Sequence, residues 1–166
     1  VELAREKLDI ERCGLWIVDP VQQCLQGTYG TDAEGCTTDE RAAKLAITAY
    51  DPIVLAKDKL WIVNEAPRTY WKDGKHIEAG IGWVVSTDLR TASGAIGVMY
   101  SDAFLSGAPL DKDLQDGFAL YCSMLANIIE RRRVEEALKT HDEFSQKQSS
   151  VFAELTRSKA FYTGNV

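Results

Sequence analysis

Gly94-Ala-Ile-Gly-Val-Met-Tyr-Ser-Asp102, followed by Phe104-Leu-Ser-Gly-Ala-Pro109 and by Leu110-Asp-Lys-Asp113 running on to Arg133, is the stretch that decides the fold. Its first part is short, apolar and glycine-spaced, the pattern of a buried strand. The second holds both glycine and proline and is a loop. The third opens a helix: Asp111 is a good N-cap, and Asp113 sets a second carboxylate near the positive end of the helix dipole. Apolar residues recur at Leu114, Phe118, Tyr121, Leu125 and Ile128, which is one helical face turned to a core.

The helix does not stop where a core would end. Glu130-Arg-Arg-Arg-Val-Glu-Glu-Ala-Leu138 is helical but too polar to be buried, and Arg131/Glu135, Arg132/Glu136 and Glu135/Lys139 are opposite charges one turn apart. A sparse heptad seam runs through Leu120, Met124, Asn127, Arg131, Val134, Leu138, His141, Ser145, Gln148, Phe152 and Leu155. Its polar members predict a weak coiled coil, with Leu120, Met124, Val134 and Leu138 as the dimer and relay positions. Unbroken from Asp111 to Ala160, such a helix would span roughly 75 Å. That suits a connector, and Thr163-Gly164-Asn165 would stop it.

Upstream, Val1 to Asp9 predicts a short helix. Glu11 to Asp19 is a strand apolar on both faces, with Cys13, Leu15 and Ile17 on one and Trp16 and Val18 on the other, so it should be central. Pro20 marks a turn, and Gln23 to Gly30 returns as the second arm of a hairpin. Thr37-Thr-Asp-Glu40 could cap a helix through Ala49, but Lys44 to Thr48 could equally be a strand. Asp51-Pro52 suits the start of a short helix through Lys57, and Leu60 to Asn64 is a short buried strand. Glu65 to Ala79 is the longest irregular stretch, of the kind that carries function. Ile81 to Thr87 alternates as a strand and pairs with Gly94–Asp102 through Leu89 to Ser93.

The composition bounds the function. The chain has 166 residues, 45% hydrophobic and 27% charged, enough for one domain with an appendage. A net charge of −6 argues against general nucleic-acid binding, and no apolar run is long enough to span a membrane. The chain opens on Val1 without a signal peptide and reads as a piece of a longer protein. Cys13, Cys24, Cys36 and Cys122 form no C-x-x-C pair, which suits reduced thiols in a cytoplasmic setting.

Helix, hairpin, variable middle, hairpin and long exit helix resembles the order of a GAF domain. Gly27-Thr-Tyr-Gly-Thr-Asp32 with Asp39-Glu40 is similar to the second-strand loop of GAF sensors in bacterial multidomain signalling proteins. Ala95 to Asp102 with Leu105-Ser-Gly107, Pro109 and Leu110 resembles their last strand and loop, and Ile128 to Leu138 their exit helix. The resemblance covers about residues 1–140. It implies an α+β fold: a GAF/PAS-like six-stranded antiparallel sheet flanked by helices, with a long C-terminal helix and with residues 43–48 as a third strand. It divides the chain into a sensory domain, 1–130, and a helical signalling linker, 131–166, leading to a further domain of the same parent chain. A histidine kinase or a diguanylate cyclase is the output it implies.

The chemistry narrows next. The Asn-Lys…Phe…Asp-Glu signature of cyclic-nucleotide GAF domains has no counterpart here. Covalent bilin attachment is not expected, because no cysteine lies between Cys36 and Cys122 and neither histidine follows one. Zinc fails on cysteine spacing, and haem would rest on His76 alone. Some GAF-fold proteins reduce free methionine sulfoxide with cysteines, but no base or matching cysteine triplet stands here. A non-catalytic module remains, which binds a small ligand or relays a signal as a homodimer through its C-terminal helix. The alternatives are that thiol reductase and a purely structural dimerisation spacer. A ligand pocket is expected between the sheet and residues 65–79, lined by Arg68, Tyr70, Trp71 and His76 over Tyr29 or Trp83.

Overall fold

The computed structural model describes residues 1–47 and 59–162. Helix α1 spans Glu2–Leu8. The strands are β1 (Arg12–Asp19), β2 (Cys24–Gly27), β3 (Tyr29–Thr31), β4 (Thr37–Asp39), β5 (Lys44–Ala46), β6 (Trp61–Lys72), β7 (Lys75–Thr91) and β8 (Gly94–Asp102), and α2 spans Lys112–Tyr162. The fold is α+β. Six strands form one antiparallel sheet in the order β5-β2-β1-β8-β7-β6, and β3 and β4 pair separately. The chain divides into two compact units, Val1–Asn127 and Ile128–Val166. Among the described residues no helix is long and apolar enough to cross a membrane.

β1 is interior, as its two apolar faces require. It pairs with β8 so that Trp16 faces Val98 and Leu15 faces Met99. The glycine spacing of β8 has a steric cause: a Cβ at Gly97 would collide with the carbonyl of Trp16. Side chains alternate across the sheet, so the register sorts the core in two. On one face Met99 and Ser101, with Val85 and Thr87 opposite them on β7, receive the first turns of α2. Cys122 Sγ lies 3.7 Å from Met99 Sδ, and Ser101 Oγ donates to Gln115 Oε1 at 3.1 Å. On the other face Trp16, Leu25, Ala43 and Val98 form a cluster with Val18, Leu45, Ile62, Trp71 and Tyr100 packed against it. At the start of α2, Asp111 Oδ1 accepts from the backbone N–H groups of Asp113 and Leu114, the bonds an N-cap makes.

Five expectations need correction. Leu60 to Asn64 is not a short buried strand: Leu60 and Val63 are exposed, and the strand runs from Trp61 to Lys72. Residues 65–79 are no irregular loop: β6 and β7 run through them as a hairpin that turns on Asp73-Gly74, with Lys72 opposite Lys75. Both turn residues have positive φ, 50° and 79°, as the two-residue turn that matches strand twist demands. Gln23 to Gly30 is not one arm, because the chain leaves β2 at Thr28, whose hydroxyl donates to Leu15 O, and continues as β3 in the second sheet. Residues 89–93 are mostly strand, with β7 reaching Thr91. Ile128 is 53% exposed, while Gln115, Phe118, Ala119, Cys122 and Ala126 carry the buried face of α2. The alternative between helix and strand near Lys44 resolves as β5, and Thr37–Asp39 is β4. The helix expected from Asp51-Pro52 and the stop at residues 163–165 lie outside the described residues.

Candidate functional site

The outer part of the β6–β7 hairpin folds over the sheet face opposite α2. His76, near its tip, stacks on Trp16 of β1 with ring centres 5.7 Å apart and meets Trp71 edge-on at 5.0 Å. Register irregularities near Pro67 allow the bend. From the other side, Thr31 of β3 both donates to Cys13 O and accepts from Cys13 N–H, which ties the small sheet to the free edge of β1. Between these walls lies a cavity of about 510 Å³.

Trp16, Leu45, Ala66, Val84 and Tyr100 give it an apolar lining. Burial pushes the Tyr100 phenol up to about 12, so it stays neutral. Four charged residues also line it: Arg12, Glu40, Arg68 and Asp102. Arg12 is 3% exposed. Its Nη2 donates to Thr69 O at 2.7 Å, its Nε lies 3.6 Å from Asp102 Oδ1, and its guanidinium stands 5.1 Å from the Phe104 ring centre. The Arg68 guanidinium occupies the space a side chain at Gly82 would need, donates to Ile81 O, and approaches the same ring to 5.4 Å. Glu40 is 5% exposed and accepts from Thr38 Oγ1 at 3.3 Å. Its carboxyl fills the space beside Gly30, where a methyl group would overlap it. Burial raises the Glu40 and Asp102 carboxyl pKa values, against the pull of hydrogen bonds and of Arg12.

The residues expected at a pocket divide. Arg68, Tyr70 and His76 line the cavity. Trp71 does not line it but packs behind it, on the Trp16 cluster and against His76. Tyr29 is an exposed residue of β3 beneath the Arg41 guanidinium, and Trp83 Nε1 donates to Ala108 O. Sequence reasoning missed Arg12, Trp16, Glu40, Tyr100 and Asp102 as site residues. One signal was present: Arg12, Gly14 and Trp16 alternate on one face of a central strand, which sets a cation in a core.

The cavity has little to offer as a nucleophile. Cys13 borders it, but burial pushes its thiol up to about 11; the Cys122 thiol, on the buried face of α2, is raised as well. Burial lowers the pKa of His76. Among the described residues no three histidine, cysteine or acidic side chains converge as metal ligands would.

No protein-family profile matches the chain, and no curated protein matches it. Among solved structures the chain is similar to a crystal structure of a methyl-accepting chemotaxis protein, residues 122 to 287. The TM-score is 0.51, the sequence identity 15%, and the match covers 78% of this chain and 84% of that one. At this identity the likeness is one of fold.

Proposed function

We propose that this chain is a GAF-like sensory module of a bacterial signalling protein, which binds a small organic ligand in the cavity and passes the event to α2. The observation that carries the proposal is the cavity itself. Its volume of about 510 Å³ lies within the range of small-molecule sites, and four charged side chains stand in a wall whose surface is mostly apolar. The likeness in fold to a piece of a methyl-accepting chemotaxis protein is consistent with a signalling role. The output is an effector domain further along the same polypeptide, a histidine kinase or a nucleotide cyclase. Two copies associate through α2, where Leu120, Met124, Val134 and Leu138 stand exposed at heptad positions. The module itself catalyses nothing: of its thiols, Cys13 and Cys122 are buried with raised pKa values, and Cys24 and Cys36 do not line the cavity.

Thermal shifts across a metabolite library, with native mass spectrometry of each hit, test this. The expected result is a saturable shift from one chemical class with one ligand per chain, lost in Trp16→Ala. Steady turnover of methionine sulfoxide in a thiol-recycling assay, abolished by Cys24→Ser or Cys36→Ser, would instead make the domain a reductase.

A further inference from the structure

Arg12 and Arg68 are held for something the protein does not itself supply. Arg12 is almost fully buried, yet its Nε and Nη1 meet no protein hydrogen-bond acceptor; the Nε of Arg68 is in the same state. Leaving buried donors of a charged group unmatched is costly. The nearest acid does not close the gap. Asp102 Oδ1 stays 3.6 Å from Arg12 Nε and accepts the backbone N–H of Phe104 at 2.9 Å. Glu40 is occupied by Thr38. Nor are the guanidiniums free to swing away. Both are braced over Phe104, and each donates to a backbone carbonyl of the outer hairpin. Two planar forks therefore border one cavity, and three of their nitrogens, buried in its wall, meet no protein acceptor.

Charge decides which acceptor suits them. Arg12 and Arg68 already face Glu40 and Asp102 in the same lining, so the site is close to balance. A phosphate would bring up to two further negative charges beside two carboxyls. A carboxylate brings one, in the planar geometry that a guanidinium matches with paired hydrogen bonds. The rest of the lining suits an apolar body. We infer that the cavity takes a small organic monocarboxylate, its carboxylate on Arg12 and Arg68 and its apolar body against the wall of Leu45, Ala66, Val84 and Tyr100. The inference rests on the proposal that the cavity is a ligand site.

Calorimetric titration of the whole chain tests it. The probes are acetate, hexanoate, phenylacetate and indole-3-acetate, each beside its neutral primary amide, with phenyl phosphate as the dianion. At least one acid should bind at least about tenfold more tightly than its amide, the worth of one charge-assisted hydrogen bond. Arg68→Gln should weaken that acid by a similar factor and weaken the amide less, with Arg68→Lys between; circular dichroism checks that each variant is folded. Arg68 is the position to change first, because it is only half-buried, whereas Arg12 also ties β1 to the hairpin. Amides or the phosphate binding as well as the acids, or an Arg68→Gln variant that binds the acid normally, would overturn the inference and leave the cavity a ligand site. If no probe, charged or neutral, binds or shifts the melting temperature, the inference and the ligand-site proposal fall together.

Discussion

Glu40 is an acid whose ionisation the fold opposes. It lies against Gly30 in the wall of the cavity, and burial raises its pKa from the ordinary 4.5. Between the unfolded and the raised folded pKa, the folded chain binds a proton that the unfolded chain has released. Stability contributed by Glu40 should rise as pH falls from neutral toward 4.5 and level off below it, and Asp102, raised for the same reason, adds with the same sign. Glu40→Gln should unfold at higher denaturant than the parent at pH 7, and its advantage should shrink on acidification; urea melts at a series of pH values check this. An advantage that grew toward acid would mean that Arg12 outweighs burial. Little of this was legible beforehand. Glu40 stood out only in a helix-capping pattern and in a loop similar to that of a family, and Asp102 only as the end of a strand. What defines them is a partner far along the chain: Arg12 joins Asp102 and Thr69, and no local pattern encodes that meeting.

Among the elements, the β6–β7 hairpin departs furthest from the expectation, and the reason is physical. Glu65-Ala-Pro-Arg-Thr-Tyr-Trp-Lys72 breaks the apolar alternation and contains a proline, which would disqualify an interior strand. β6 is an edge strand, so a missing N–H and a bulge at Pro67 do no harm, and its half-exposed face needs no strict pattern. The cue was Asp73-Gly74, the strongest short-range hairpin signal in the chain. Gly74→Val puts a branched side chain at φ 79° and should cost the hairpin about 1–2 kcal/mol. Amide exchange should rise within residues 68–79 and stay unchanged in β1 and β8; an even rise across the sheet would mean that the hairpin does not open by itself. The opposite error occurred on α2, where attention to large residues placed Ile128 in the core. At 100° per residue it stands about 120° round from Cys122, and small residues, Ala119 and Ala126, mark the true face.

For the molecule as a whole, the α+β class and the antiparallel sheet were legible because β1, β8 and the start of α2 carry strong, mutually consistent patterns. The strand order and the cavity were not, since both arise from side chains meeting across the sheet. The exposed heptad positions of α2 lead to a prediction on this scale. The parent chain should sediment as a concentration-dependent dimer at micromolar levels, and Val134→Glu/Leu138→Glu should shift it at least tenfold toward monomer, on the order of 1.4 kcal/mol or more. A double variant that associates as well as the parent would place the interface elsewhere. One further consequence lies in β8. Tyr100 and Asp102 border the cavity, while Met99 and Ser101, their neighbours along the strand, meet α2 on the far side. Adjacent residues of a strand share peptide planes, so the strand acts as a see-saw one sheet thick: a tilt that moves Tyr100 also moves Met99 and Ser101. A see-saw answers at both ends. If the cavity holds a ligand that shifts α2, as proposed above, reciprocity requires that whatever grips α2 change the affinity of the cavity by the same factor. The response would therefore feed back on the stimulus, and the module's sensitivity would belong to the assembly it drives as much as to its own walls.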